Sequence, residues 1–212
     1  QRRRELWCSD RLGDRQMRIL GINCMNHDAA MAIVEFDKKG PGKILWAAHS
    51  ERYSKVKNDH YLNNEIVNEA REIGWHKVVY YERPMLKKTR QFYAGQYGIA
   101  IDSKEMPQHH LNQFGIKIDD YVTHHDSHAS AGYFTSGFKD AVILTVDAIG
   151  EWETISISKG YNQKAIERME QVRYPNSIGI LYSAFTQRCG LKPAEEEYIL
   201  MGMSAYGNPQ YK

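Results

Sequence analysis

The chain has 212 residues, of which 42% are hydrophobic and 11% aromatic, and this content is enough to bury the core of one large or two small domains. Five of its 28 Lys and Arg residues and three of its 26 acids lie in residues 1–16, which leaves 23 of each in the rest of the chain. A neutral body gives no reason to expect nucleic acid as a partner. Because no apolar stretch of about 18 residues exists, we expect no membrane span and a cytoplasmic protein.

We expect no chemical role for the cysteines or for the basic start of the chain. Cys8, Cys24 and Cys189 are odd in number, lie far apart and form no CxxC pair, which argues against a disulfide framework and against a thiolate zinc site. Residues 1–16 have no apolar periodicity, whereas Met17 opens an apolar run. We therefore interpret residues 1–16 as an extension outside the fold.

The first half of the chain predicts elements in the order β-β-β-α-β-α. Three apolar segments separated by turns are typical of sequential antiparallel strands, and a helical spacing of apolar residues follows them. The predicted strands are 18–24, 29–36, 43–50 and 77–81, and the predicted helices are 62–73, which Gly74 ends, and one that begins near Pro84.

The second half predicts the same three-strand opening after a polar loop at 102–110. Its predicted elements are a strand in DDYVTHH running into a helix that Asp126 or Ser127 caps and that ends near Gly137, strands at 140–148, 152–158 and 164–172, and a helix from Asn176 or Ser177 to Gly190. Each half thus opens with a strand that ends in a turn bearing an acid, NHDAA at 26–30 and VDAIGE at 146–151. Two such turns facing each other would form a cleft.

The stretch THHDSHASA at 123–131 contains the clearest candidate metal ligands. His124 and His128 are four residues apart, so a helix places their rings on one face with Cβ atoms about 5–6 Å apart. Imidazoles accept iron, zinc, nickel or copper, and a carboxylate would have to complete the site. Asp147, at the end of the next strong strand, is the natural third ligand. The alternative is a capping or surface histidine beside a core histidine, and His125 has the weaker claim because it lies about 100° around the helix.

Two further groups have both a functional and a structural interpretation. His27 and Asp28, in the first turn, can together bind and deprotonate a hydroxyl, or Asp28 can bond only its own backbone. Arg52 and Lys55 either belong to a solvated loop or contact a phosphate or carbamoyl oxygen.

The sequence resembles the carbamoyltransferase family that includes nodulation-factor and antibiotic O-carbamoyltransferases. The resemblance covers about residues 17–209 and rests on four segments in the family's order and spacing: ILGINCMNHDAAMAIV, AAHSERYSKVKND, HHDSHASAGYFTSGFKDAVILTVDAIGEWETISI and PNSIGILYSAFTQRCGLKPAEEEYILMGMSAYGNP. It implies an α/β, actin-like (ribonuclease H-like) duplicated β-β-β-α-β-α fold, similar to the enzymes that make threonylcarbamoyl-adenosine in tRNA.

The resemblance also implies the family's two-step reaction, in which carbamoyl phosphate and ATP give a carbamoyl-adenylate and the carbamoyl group then passes to an acceptor hydroxyl. It implies a divalent metal, with Fe²⁺ expected, and small-molecule substrates. The implied metal ligands are His124, His128 and Asp147, the implied catalytic residues are His27 and Asp28, and the implied substrate- and nucleotide-binding residues are Arg52, Lys55 and Gly150.

The sequence departs from the family pattern at two places. Ala148 stands where a glycine usually follows the aspartate of the second turn, and no lysine precedes the pair Met201–Gly202. We expect three regions: residues 1–16 as an extension, 17–138 as the first actin-like subdomain and 139–212 as the start of a second, incomplete one. The remainder would be supplied in cis or by another chain.

Two alternatives to the transferase stay open at the level of the sequence. The first is a non-catalytic actin-like lobe that binds a nucleotide or a partner through half of a cleft. The second is a metal-dependent hydrolase that uses His124, His128 and Asp147.

Overall fold

Three antiparallel strands open the fold in a computed structural model that describes residues 16–37 and 42–210. The extension predicted for residues 1–16 therefore lies outside the described residues except for Gln16. The elements of the first half are β1 (Met17–Asn23), β2 (Ala30–Phe36), β3 (Lys43–His49), α1 (Glu51–Ser54), α2 (Asn64–Ile73), β4 (Lys77–Tyr80), α3 (Pro84–Tyr93), α4 (Tyr97–Ile101), α5 (Pro107–Asn112) and β5 (Asp120–Tyr121).

The first sheet has the strand order β3-β2-β1-β4-β5. Strands β1, β2 and β3 are antiparallel neighbours, whereas β4 runs parallel to β1 and β5 parallel to β4. Since α2 connects the antiparallel strands to β4, the predicted β-β-β-α-β half-domain is confirmed. Strands β1, β4 and β5 are parallel, so they end at the same edge of the sheet. The turn between β1 and β2 lies at this edge, as does the start of the helix that follows β5.

The core lies between this sheet and α2. Leu20 and Ile22 alternate along β1 and are buried, as are Met31 and Ile33 along β2, because every second side chain of a strand points to the same face. Ile66, Val67 and Ala70 form the buried face of α2, and Asn63 caps this helix by accepting a hydrogen bond from the backbone N–H of Ile66 at 3.1 Å. This packing holds the strand ends that carry the candidate site.

The polar loop predicted at 102–110 is partly helical, so that prediction was wrong over residues 107–110. Pro107 is the first residue of α5, and Leu111 on the same helix is fully buried. Proline is favoured in the first turn of a helix because its missing N–H would have had no partner there. The segment was too short and too polar for its two buried residues, Pro107 and Leu111, to show a helical period.

The second half repeats the antiparallel opening of the first. Its elements are α6 (His124–Ser136), β6 (Ala141–Val146), β7 (Glu153–Tyr161), β8 (Ala165–Arg173), α7 (Ile178–Arg188) and α8 (Glu197–Met203). Strands β6, β7 and β8 form a separate antiparallel sheet in that order. Ser177 caps α7, as predicted. The mixed α/β class and its duplicated strand pattern are thus confirmed.

No helix within residues 16–37 and 42–210 is long and apolar enough to cross a membrane.

Candidate metal centre and the adjoining turn

Helix α6 places both candidate histidines in its first two turns. Its N-cap is Thr123, whose hydroxyl accepts a hydrogen bond from the backbone N–H of Asp126 at 3.2 Å. The predicted caps, Asp126 and Ser127, were wrong: both lie inside the helix, and the Ser127 hydroxyl donates instead to the carbonyl of Tyr81 at 2.7 Å. Thr caps helices in the same way as Ser and Asp. With Thr123 as the cap, the helix begins at His124.

The structure brings the three predicted metal ligands together. The Nε2 atom of His124 lies 2.6 Å from Oδ2 of Asp147 and 3.0 Å from Nε2 of His128, and the last of these lies 3.5 Å from the same carboxylate oxygen. One ligand atom from each residue therefore faces a common point. The four-residue spacing puts the rings on one face of α6, and the strand end of β6 supplies the carboxylate.

The electrostatics of this group favour an ionised carboxylate. Burial alone would raise the pKa of Asp147, but the hydrogen bond with His124 and the nearby ring of His128 outweigh it and hold the pKa well below its ordinary value. The pKa of His128 is raised, mainly because its ring lies beside the Asp147 carboxylate. Asp147 also accepts a hydrogen bond from the backbone N–H of Ala148 at 2.6 Å. The group thus offers one anionic oxygen and two imidazole nitrogens.

The surroundings of His124 fit a metal ligand. Its other ring nitrogen, Nδ1, is buried and has no hydrogen-bond partner in the part of the chain that the structure describes; Oε2 of Glu82 lies 3.9 Å from it. Glu82 is buried and paired with Lys87 at 2.9 Å. Metal-bound histidines commonly direct their second nitrogen towards a carboxylate. Two imidazoles and a carboxylate are also a donor set that iron and zinc accept, so these residues fit a divalent metal.

Glu151 ties the second turn to the helix, and sequence reasoning gave it no role. Its carboxylate is buried and accepts hydrogen bonds from the backbone N–H of Arg83 at 2.8 Å and from that of His124 at 3.0 and 3.1 Å. The turn after β6, the start of α3 and the start of α6 are therefore joined by one side chain. The signal available in the sequence was the acid that closes VDAIGE.

Gly150 packs against the ring of His124. A Cβ added at Gly150 would lie 3.1 Å from the Cβ of His124 and 3.2 Å from two of its ring atoms, which is closer than ordinary van der Waals contact. The absence of a side chain therefore lets the turn approach the helix. The contribution of Gly150 to an anion-binding wall stays a prediction.

The alanine that replaces the family's usual glycine is accommodated. Within the described part of the chain, Ala148 does not have a positive φ angle, so its methyl group adds no backbone strain. The backbone of Ala148 packs closely on α7, because a Cβ on Gly179 would lie only 2.6 Å from the Cα of Ala148.

His125 is a core residue. Its side chain is fully buried, and its Nδ1 atom lies 3.0 Å from the hydroxyl oxygen of Ser156 on β7. Burial lowers the pKa of His125 below its ordinary value. Its position around the helix predicted that His125 has a weaker claim to the metal than His124, and its burial agrees with this prediction.

The turn between β1 and β2 brings His27 and Asp28 into contact. Nδ1 of His27 lies 2.7 Å from Oδ2 of Asp28, and Nε2 of His49 lies 3.4 Å from Oδ1 of the same residue. Asp28 has φ 56, and its carbonyl accepts a hydrogen bond from the side chain of Asn23 at 3.1 Å. The Asp28 carboxylate thus contacts two histidines, which favours the functional interpretation over a turn that bonds only itself.

Arg52 and Lys55 lie at the short helix α1, which follows β3. Lys55 ends this helix with φ 59, and its ammonium donates to the carbonyl of Arg52. The structure therefore gives Lys55 a local capping contact. Binding of a phosphate or carbamoyl oxygen by these two side chains stays a prediction.

Comparison with curated proteins finds relatives that align with most of the chain. It is 31% identical over 224 residues to the uncharacterized protein sll1178 of Synechocystis sp., covering 91% of this chain and 35% of that protein. It is 25% identical to the nodulation protein NolNO of Sinorhizobium fredii, covering 88% and 29%, and 27% identical to the uncharacterized protein MJ1051 of Methanocaldococcus jannaschii, covering 89% and 33%. The chain spans about a third of the length of these relatives.

Solved structures give a weaker likeness, and a family model gives a stronger one. The PPX-GPPA enzyme of Aquifex aeolicus aligns with 92% of this chain and 66% of its own, at a TM-score of 0.41 and 14% identity, which supports no statement on substrate or mechanism. The model described as carbamoyltransferase N-terminus matches residues 80–212, a segment that holds α6, the Asp147 turn and α7. Since this match covers more than half of the 212 residues, the chain belongs to the carbamoyltransferase N-terminus family.

Proposed function

We propose that this chain is the N-terminal part of an O-carbamoyltransferase. The enzyme would take a carbamoyl group from a carbamoyl-adenylate, made from carbamoyl phosphate and ATP, and pass it to an acceptor hydroxyl. The observation that carries the proposal is the convergence of His124, His128 and Asp147, whose ligand atoms lie 2.6 to 3.5 Å apart inside the segment that matches the family. The remainder of the enzyme would be supplied in cis or by another chain.

The metal would be held by His124, His128 and Asp147, with Fe²⁺ expected. When bound there, it would act as a Lewis acid on oxygens of the adenylate. Glu151 and Gly150 would set the position of His124, and the anionic Asp147 would supply the charge that retains a divalent cation. The same residues bring the two halves of the chain together at the site.

His27 is the proposed base for the acceptor. In the tautomer in which Nδ1–H donates to Asp28, the other ring nitrogen, Nε2, carries a free lone pair, and the His27 side chain is 67% exposed and open to a ligand. Nε2 would accept the proton of the acceptor hydroxyl while the hydroxyl oxygen bonds to the carbamoyl carbon. The bond from that carbon to the phosphate oxygen breaks, and AMP leaves with its electron pair.

Cys24 is not the nucleophile of the proposed reaction. Cys24 follows β1 close to the His27 turn, but it is fully buried, and burial raises the pKa of its thiol to about 12. A thiol that stays protonated is a poor nucleophile. Since a mixed anhydride is already activated, direct attack by the acceptor suffices, and orientation with charge stabilisation accounts for the catalysis.

Binding of a stable adenylate analogue tests the proposal on this chain. A sulfamoyl analogue of the carbamoyl-adenylate is titrated by calorimetry into the Fe²⁺-loaded protein and into His128→Ala under anaerobic conditions. We expect binding that requires the metal and weakens at least tenfold in the variant. Equal binding to both proteins would favour the alternative of a non-catalytic nucleotide-binding lobe, and a folded, metal-loaded protein that does not bind the analogue would contradict the proposal.

A further inference from the structure

A second group of metal-ligating side chains lies on the first sheet. One ligand atom from each of Asp28, His49 and Glu51 lies within 4.8 Å of the other two. None of these residues belongs to the His124 group, which α6 and β6 supply. The three side chains come from the end of the β1–β2 turn, the last residue of β3 and the first residue of α1.

Backbone hydrogen bonds fix the positions of these three residues. His49 pairs with Ala30 in the ladder between β2 and β3, and the backbone N–H of Ser50 donates to the carbonyl of Ala29 at 2.7 Å. Ser50 is fully buried, and its hydroxyl donates to the carbonyl of Tyr61 at 2.6 Å. The turn and the start of α1 are therefore held side by side by the sheet, and sites built on such elements keep their ligands in place.

The three side chains lie close together, but they do not use all of one another's hydrogen-bonding atoms. Nε2 of His49 and Oδ1 of Asp28 are 3.4 Å apart, which is longer than an ordinary N–H···O hydrogen bond. The other oxygen of Asp28 is held by His27 at 2.7 Å, which orients the carboxylate. Within residues 16–37 and 42–210, the Glu51 carboxylate accepts one long contact, from the backbone N–H of Asn58 at 3.4 Å. One oxygen of each acid therefore remains available to a cation.

The charge of the group also calls for a cation. Two carboxylate oxygens, one from Asp28 and one from Glu51, lie within 4.8 Å of each other, and like charges at this distance repel. Among the described residues, the ion pairs of Asp28 are with His27 and His49, and Glu51 forms none with Lys or Arg. A divalent cation between the two acids would remove this repulsion.

We propose that Asp28, His49 and Glu51 form a second divalent-cation site, separate from the one at His124. Two carboxylate oxygens with one imidazole suit Mn²⁺, Fe²⁺ or Zn²⁺. The side chains of Asp28 and His49 are 41% and 34% exposed, so coordination positions stay open to water or to an oxygen of a ligand. Because Asp28 also contacts His27, such a ligand would lie at the same turn as the proposed base. Cation binding here requires no adenylate and no transfer, so it goes beyond the proposed function.

The stoichiometry of Mn²⁺ binding tests this site on the chain itself. Bound Mn²⁺ is measured by calorimetry and by elemental analysis after removal of free metal, for wild type, His49→Gln, His128→Gln and the double variant. His60→Gln is the matched control, because His60 is an exposed histidine of the adjacent loop outside the group. We expect two Mn²⁺ per chain in wild type and in the control, one in each single variant and none in the double variant.

The experiment distinguishes the absence of the second site from the absence of a metal at His124. One Mn²⁺ per wild-type chain that disappears in His49→Gln would support the second site and speak against a metal at His124. An unchanged stoichiometry in His49→Gln would overturn the second site and leave the proposed function intact. Far-UV circular dichroism confirms folding of each variant, and Glu51→Gln, which removes another ligand of the same group, should reproduce the loss.

Discussion

At the scale of single residues, Gly150 sets the position of the His124 ring. We predict that Gly150→Ala weakens metal binding about tenfold, in the range found for residues that orient metal ligands, because the new methyl group would lie 3.1 Å from the His124 Cβ. Calorimetric metal affinity is the measurement. Gly132→Ala is the matched control: it lies within α6, a Cβ there would meet nothing within 4 Å, and alanine should stabilise that helix by about 1 kcal/mol. Equal affinities in the two variants would contradict the role of Gly150.

We predict that His110 causes part of the dependence of the free energy of unfolding on pH. Burial lowers its pKa below the ordinary 6.5, and its Nε2 atom accepts a hydrogen bond from the backbone N–H of Leu62 at 3.2 Å, which requires the neutral ring. As the pH falls below 6.5, the unfolded chain binds a proton that the folded chain resists, so the free energy of unfolding decreases.

The measurement for His110 is denaturant unfolding of wild type and His110→Gln between pH 7.5 and 5. The variant should lose less stability over this range, because its side chain does not titrate and its amide oxygen can still accept from Leu62. Parallel pH profiles for the two proteins would contradict a neutral His110 in the fold.

Sequence alone could predict which residues form the candidate metal group but not what surrounds them. The spacing of His124 and His128 is a local property of a helix, and Asp147 closes a strong strand, so their chemistry was visible. Burial of Glu82 and Glu151 depends on contacts with residues far away in the chain, as with Glu151 and Arg83, 68 positions apart. The meeting of His49 with Asp28 likewise depends on the register of β2 and β3, which no local pattern states.

At the scale of elements, Glu151 joins the start of α3, the start of α6 and the turn after β6. Removing a carboxylate that accepts from two buried backbone N–H groups should cost about 3 kcal/mol. We therefore predict that Glu151→Ala lowers both stability and metal affinity, whereas Glu151→Gln, which keeps one acceptor oxygen, restores part of the affinity. Unfolding and calorimetric titration measure the two effects.

The control for Glu151 separates geometry from general stability. Leu20→Ala removes a fully buried side chain of β1 and should cost about 2–5 kcal/mol without touching the metal group. Loss of metal affinity in Leu20→Ala equal to that in Glu151→Ala would mean that Glu151 acts through stability alone.

The elements themselves were largely predictable because most have a clear period. Strands such as β1 and β7 alternate buried and partly buried residues over part of their length, and α2 has one apolar face. The wrong predictions were of two kinds. At the start of α6, Thr123 and Asp126 are both suitable capping residues, and the sequence does not distinguish them. Helix α5 is too short for its period to be visible. Caps and short helices are decided by a few hydrogen bonds that the tertiary structure selects.

At the scale of the whole molecule, β6 lies at the edge of the second sheet and presents apolar side chains. Val142, Leu144 and Val146 are 73%, 64% and 50% exposed, and an apolar edge strand is a site for pairing with another chain. We predict that this chain self-associates with rising concentration and that Leu144→Lys reduces the association. Sedimentation velocity over a range of concentrations measures it, and a monomer at every concentration in wild type would contradict the prediction.

The central claim is that His124, His128 and Asp147 hold a divalent metal, with Fe²⁺ expected. The most direct test is elemental analysis of protein purified without oxygen, for wild type and His128→Ala. The account predicts that the variant retains one equivalent of divalent metal fewer than wild type while keeping its circular dichroism spectrum. The same metal content in two folded proteins would contradict the claim.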